Sequence, residues 1–216
     1  MSNNLATNPS KVLLPLLGSQ LSYNYQPLLS GDKFPSFVLN RGSFITIKDK
    51  DLFGQPFTSL QDILDYPQPL VLAFLSVKDR IVDIGSWKSF QADIEIMGGR
   101  LLIVTNGDSK QFTSKTRKEA QLNIWQDKHQ QLVEDARLYD VQNPISDWLS
   151  GVDDDIPLPA FYIVGRDSNI LFHHIDYALK TVDGKNFSDS PFVRNLLTSV
   201  YQSSAARSAP LRKAIS

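Results

Sequence analysis

An α/β fold is predicted: a mixed sheet flanked by helices on both faces, with an N-terminal extension. Three observations lead to it. Leu70–Leu75 and Leu101–Val104 are uninterrupted apolar runs, the pattern of strands buried on both faces. Between them Trp87, Phe90, Ile94 and Met97 recur at three- and four-residue steps, as one face of a helix requires. Phe161–Val164 and Ile170–His173 flank Gly165–Asn169, the pattern of a hairpin that adds antiparallel strands to the sheet.

In chain order, residues 1–27 hold short apolar stretches, Val12–Leu17 and Leu21–Tyr25, and read as an N-terminal arm or hairpin. At Gly31-Asp32 a turn is expected, then an extended segment, because Pro35 disfavours helix at the residue before it. Phe44–Ile47 alternates as a strand, and Phe53–Phe57 marks a turn. Ser59–Leu64 fits a short helix with Leu60, Ile63 and Leu64 on one side. The strand at 70–75 leads through Asp79–Asp83 into a helix running to about Met97, closed by Gly98-Gly99. Lys110–Leu122 has the polar, basic composition of a solvated helix. Asn123–Gln126 is a short strand, and Gln130–Tyr139 a helix with Leu132, Val133 and Ala136 inward. A last helix opens at Ser190-Pro191, Ser as N-cap and Pro at the first helical position. The domain spans 28–202, and the Ser/Ala/Pro-rich residues 203–216, with Arg207, Arg212 and Lys213, are expected to be a disordered tail.

The 216 residues, 42% hydrophobic with twelve Phe, seven Tyr and three Trp, suffice for one core without disulfides or metal. A net charge of −1 with balanced signs gives no sign of an electrostatic nucleic-acid binder or a polybasic membrane adaptor, and neither partner is expected. No apolar run is long enough for a membrane span, and Val12–Leu17 is a poor signal peptide: it is broken by Pro15 and lacks a small-x-small cleavage site. The expected location is cytoplasmic. There is no cysteine, which excludes disulfides, thiolate metal sites and cysteine nucleophiles.

Five segments in order resemble the redoxin family, the peroxiredoxins and related thiol–disulfide oxidoreductases of thioredoxin-like fold. Gly31–Leu39 is similar to the family's opening Gly-x-x-x-Pro-x-Phe-x-Leu, and Gly54–Leu60 to the segment that follows it. Leu70–Phe74 resembles the strand before the active site, and Val104–Ser109 the Val-Ser-x-Asp-Ser turn. Pro159–Asp167 is similar to the late strand and hairpin. The resemblance implies a peroxiredoxin-type mixed sheet, an active-site loop after Phe74, and self-association as a homodimer; a protein partner or small ligand is the other expected binding target.

The chemistry does not carry over. Counted without gaps from Phe74, the positions of the family's proline, its threonine or serine, and its peroxide-attacking cysteine fall on Ser76, Arg80 and Asp83. Counted by the Cys-x-x-Cys pattern, the two cysteines fall near Asp79 and Val82. Neither register holds sulfur. The family's arginine ahead of the late strand is replaced by Leu158-Pro159. Pro159 matches the thioredoxin-fold cis-proline, so the resemblance implies a cis Leu158–Pro159 bond.

Asp79 and Asp83 precede a helix and suit capping of its free amides. Arg80 either pairs with a neighbouring Asp or receives an anion. His173 and His174 are adjacent on a strand, point to opposite faces and cannot chelate one metal together. His129 is expected at the surface, and Asp153-Asp154-Asp155 in a solvated turn. Neither a cofactor nor a metal is called for. Two function classes remain open. One is a redoxin-like binding module without thiol peroxidase or disulfide reductase activity. The other is an enzyme using Asp79, Arg80, Asp83 or a histidine in non-thiol chemistry; outside both stand a structural role and an oxidoreductase label by family membership only.

Overall fold

Leu70–Leu75 (β4) is buried at every position. Its apolar residues face both ways because strands lie on either side and helices cover both faces. The computed structural model describes residues 26–75, 84–107, 121–147, 156–177 and 191–208. On one flank β4 pairs in parallel with Arg100–Thr105 (β5), and on the other antiparallel with Ala160–Val164 (β7). Phe44–Thr46 (β2), Ile124–Gln126 (β6) and Ile170–Ile175 (β8) complete a six-stranded sheet in the order β2-β6-β5-β4-β7-β8. β6 is parallel to β5, whereas β2 and β8 are antiparallel to their neighbours. Val38–Asn40 (β1) and Phe57–Ser59 (β3) form a separate antiparallel pair.

Strand alternation divides the core in two. Leu70, Leu72, Phe74, Tyr162 and Val164 face one layer with Leu39, Phe53 and Leu64. That layer includes the short helices Lys50–Phe53 (α1), Leu60–Leu64 (α2) and Gln131–Asp135 (α4). Val71, Ala73, Phe161 and Ile163 face the other, against Trp87, Phe90 and Ile94 of Ile84–Ile96 (α3). Val193, Leu196 and Val200 of Pro191–Ser208 (α5) close that layer.

Local chemistry sets the helix ends. Ser59 caps α2 in a reciprocal capping box with Asp62. After α3 the chain turns through Gly98 at φ +81°, the left-handed region that favours glycine. At Gly99 a Cβ would lie 2.6 Å from Val200 Cγ1, so the missing side chain lets α5 approach.

Three expectations need correcting. The helix expected over 130–139 is limited to Gln131–Asp135, because Gln130 and Arg137 both take φ of 56° and break the helix on either side. The helix α1 was not expected: only its last residue, Phe53, falls in the turn expected at Phe53–Phe57, and it forms where Leu52 and Phe53 are drawn into the core. The tail expected to be disordered from 203 is helical through Ser208. Arg207 explains this: its guanidinium donates to the carbonyls of Tyr66 and Gln68 (2.9 Å each) and of Val164 (3.3 Å). Arg207→Met, which keeps the apolar stem, is expected to lower unfolding free energy by about 1–2 kcal/mol in urea titrations. Unchanged stability would show that these carbonyls are equally well satisfied by water. The expected helix at 110–122 and the N-cap Ser190 lie outside the described residues, apart from the exposed Gln121 and the buried Leu122.

Candidate functional site

In a sheet with parallel strands, the loops at the strands' carboxyl ends gather on one edge. Here that edge is formed by Leu75 at the end of β4 and Thr105 at the end of β5, which are register partners. Gln126 of β6 pairs in turn with Thr105. On the other flank Phe74 is opposite Ala160, so Pro159 stands beside the last residue of β4. Residues 76–83, which carry the expected site residues, connect Leu75 to Ile84, the first residue of α3.

Ser76, Asp79, Arg80 and Asp83 themselves lie outside the described residues. Pro159 is described and buried, and it adjoins the strand that precedes residues 76–83. The Leu158–Pro159 bond is trans, as is every described peptide bond, which corrects the expected cis geometry. The physical reason lies in the hydrogen bonding on either side. Leu158 N–H donates to Leu138 C=O (2.8 Å) and Asp176 N–H to Pro159 C=O (2.9 Å), so the backbone is held on both sides of this bond as it enters β7 at Ala160.

The described rim is polar but committed to internal contacts. Thr105 Oγ1 accepts from Gly107 N–H (3.0 Å), and Gln126 Nε2 donates to Gly107 C=O (2.9 Å). Asp127, next along the chain, donates its N–H to Thr105 C=O (2.8 Å). Its carboxylate, in a residue only 2% exposed, accepts from the N–H groups of Leu132 (2.9 Å) and Val133 (3.1 Å). Burial raises the Asp127 carboxyl above the usual carboxylate range, while the Val133, Leu132 and Gln131 amides act in the opposite direction. It therefore serves α4 as an N-terminal cap. No local pattern marks this role, because Gln130 stands between Asp127 and the helix and makes no side-chain cap itself.

The two histidines do face opposite ways. His173 Nδ1 meets Ser30, whereas the His174 ring stacks on Phe192 with centroids 4.0 Å apart and planes 2° from parallel. His129 is exposed in a turn, and Asp153–Asp155 lie outside the described residues. No group of three potential metal ligands occurs among the described residues, and no described helix is long and apolar enough to cross a membrane. An open groove of about 410 Å³, lined by Asp51, Phe57, Asp62, Asp65 and Tyr66, lies toward the amino end of β4, opposite the rim.

No protein family model matches the chain, and no curated protein matches it. Among solved structures it is similar to a Plasmodium yoelii thioredoxin peroxidase I, at 11% identity over 86% of this chain and 97% of that one, with a TM-score of 0.54. The peroxidoxin BcpB of Mycobacterium tuberculosis is similar at 10% identity over 81% and 97%, TM-score 0.53. AhpC of the same organism is similar at 16% identity over 86% and 97%, TM-score 0.52. At these identities the likeness is one of fold: a peroxiredoxin-like thioredoxin fold.

Proposed function

We propose that this peroxiredoxin-like fold works as a cytoplasmic binding module without thiol chemistry, engaging a protein partner or a second copy through the rim around the loop that follows β4. The observation that carries the reading is the complete absence of cysteine from the 216 residues. Thiol-based peroxide reduction needs a polarisable thiolate that attacks an oxygen and is itself oxidised to sulfenic acid; disulfide exchange needs a thiolate that attacks sulfur. Ser76, Asp79, Arg80 and Asp83 have hydroxyl, carboxylate and guanidinium groups with no such oxidation states. Their chemistry suits capping the first turn of α3 and presenting charge to a partner.

Peroxide consumption measured with dithiothreitol, and separately with a thioredoxin system, should equal that of buffer for hydrogen peroxide and for an organic hydroperoxide. A saturable rate that is lost in Asp83→Ala would overturn the reading in favour of non-thiol catalysis. For the binding role, a partner captured by the wild type should form a complex with the purified chain, and Asp83→Arg should weaken it at least about tenfold, the scale of a misplaced interfacial charge. Equal affinity of wild type and variant would remove the loop from the binding surface.

A further inference from the structure

We infer that the contact between Ser30 and His173 is an acid-released latch holding the strap Pro27–Ser30 against the outer edge of β8. Ser30 N–H donates to His173 Nδ1 at 2.9 Å, and Ser30 Oγ lies 2.8 Å from the same nitrogen. An imidazole nitrogen that accepts a backbone N–H has no proton of its own, so the ring is neutral with its hydrogen on Nε2. A second proton could only go onto Nδ1, where it would face the Ser30 N–H donor. The Ser30 N–H bond and the charged ring exclude each other, and the one Ser30 atom to which a protonated Nδ1 can still donate is Oγ.

The strap is fastened at several points besides Ser30–His173, among them Leu29 N–H on the Asp32 carboxylate (2.8 Å). Gly31 N–H donates to Ile170 C=O (2.9 Å), Ile170 N–H to Asp32 C=O (2.9 Å) and Phe34 N–H to Ser168 C=O (2.8 Å). These rungs do not depend on pH in the neutral range. Beyond them toward the N-terminus, Ser30–His173 and a long 3.5 Å contact from Leu28 N–H to Ala136 C=O hold Pro27–Ser30, with the Leu28 side chain seated in the core. Protonation of His173 therefore loosens Pro27–Ser30 while Gly31–Phe34 stay paired, and it uncovers both the seat of Leu28 and the β8 edge at His173.

The groups around the ring set the direction of the response. Asp32, in the turn that follows Ser30, favours the charged ring, but its carboxylate is engaged by Leu29 N–H (2.8 Å). Tyr162 is the β7 register partner of His173. His174 and Asp176 follow on the same chain, and burial lowers the His174 pKa while Asp176 acts against it. For His173 burial is the largest influence and Asp32 opposes it, so the folded pKa lies below 6.5. The unfolded chain then binds more protons than the folded one as pH falls from about 6.5, and stability drops with acidification in that window.

The test is Ser30 amide hydrogen exchange by NMR between pH 7.5 and 5.5, corrected for the intrinsic rate, together with the His173 ring nitrogen shifts. Protection should fall roughly three- to tenfold on acidification, as expected for the loss of one hydrogen bond, in step with titration of His173. In His173→Asn, whose amide oxygen replaces Nδ1 as acceptor without titrating, protection should persist at both pH values. Constant protection in the wild type would overturn the latch. The wild-type pH dependence surviving in His173→Asn would also overturn it, by assigning the effect to another group.

Discussion

Phe161→Ala is expected to cost about 3–5 kcal/mol of unfolding free energy, the range for removing a fully buried aromatic ring. Phe161 is fully buried in β7, facing the layer of α3 and α5. Its ring stacks on Trp87 at 6.2 Å between centroids, meets Phe90 edge to face at 5.9 Å, and contacts Phe192 at 5.0 Å. One side chain thus joins the first long helix, the last helix and a central strand. Truncation removes the apolar area of the ring and also leaves a cavity between elements that cannot all collapse inward. Urea unfolding should show a lower midpoint at an unchanged slope. Phe161→Leu, which fills most of the volume, should lose well under half as much. A loss for the alanine variant below about 1 kcal/mol would mean that α3 and α5 do not pack on this strand.

Asp127→Ala should cost about 2–4 kcal/mol, because it leaves buried amides at the start of α4 without an acceptor. The Leu132 and Val133 donors lie in the core layer, and no other side chain caps the helix. Asp127→Asn retains one acceptor oxygen and should lose about 1 kcal/mol or less at neutral pH. The linkage has a definite sign. A carboxyl whose folded pKa is raised binds its proton more tightly when folded, so its stabilising contribution is complete below the ordinary 3.8 and is lost as pH rises through the folded value. The Asn variant should lack this dependence and match the wild type most closely in neutral buffer. Equal stability of Ala and wild type would show that water reaches the amides.

Much of the fold was legible because its determinants are local. Apolar runs bounded by turns marked β4 and β5. The Gly165–Asn169 interruption marked the β7–β8 hairpin, and the spacing of Trp87, Phe90 and Ile94 marked α3. Opposite facing of His173 and His174 followed from strand alternation alone. What escaped the sequence depends on distant partners. Nothing near Asp127 announces that it caps a helix beyond Gln130, and nothing in the Ser/Ala-rich stretch around Arg207 announces carbonyl acceptors from another part of the chain. A trans Leu158–Pro159 bond was likewise unreadable, since it follows from Leu138 and Asp176 holding the backbone on either side. The candidate site was legible only in composition: the sequence shows that 76–83 carries no sulfur, and the structure describes the residues on either side, Leu75 and Ile84.

The guanidinium at the end of α5 reaches carbonyls 139 and 141 positions earlier in the chain. Such a tie has no counterpart in a growing polypeptide. Until synthesis has passed residue 207, the turn ahead of β4 lacks its donors and β7 lacks the helix that covers it, so a ribosome-bound nascent chain holds an unfinished sheet with apolar surface open to chaperones.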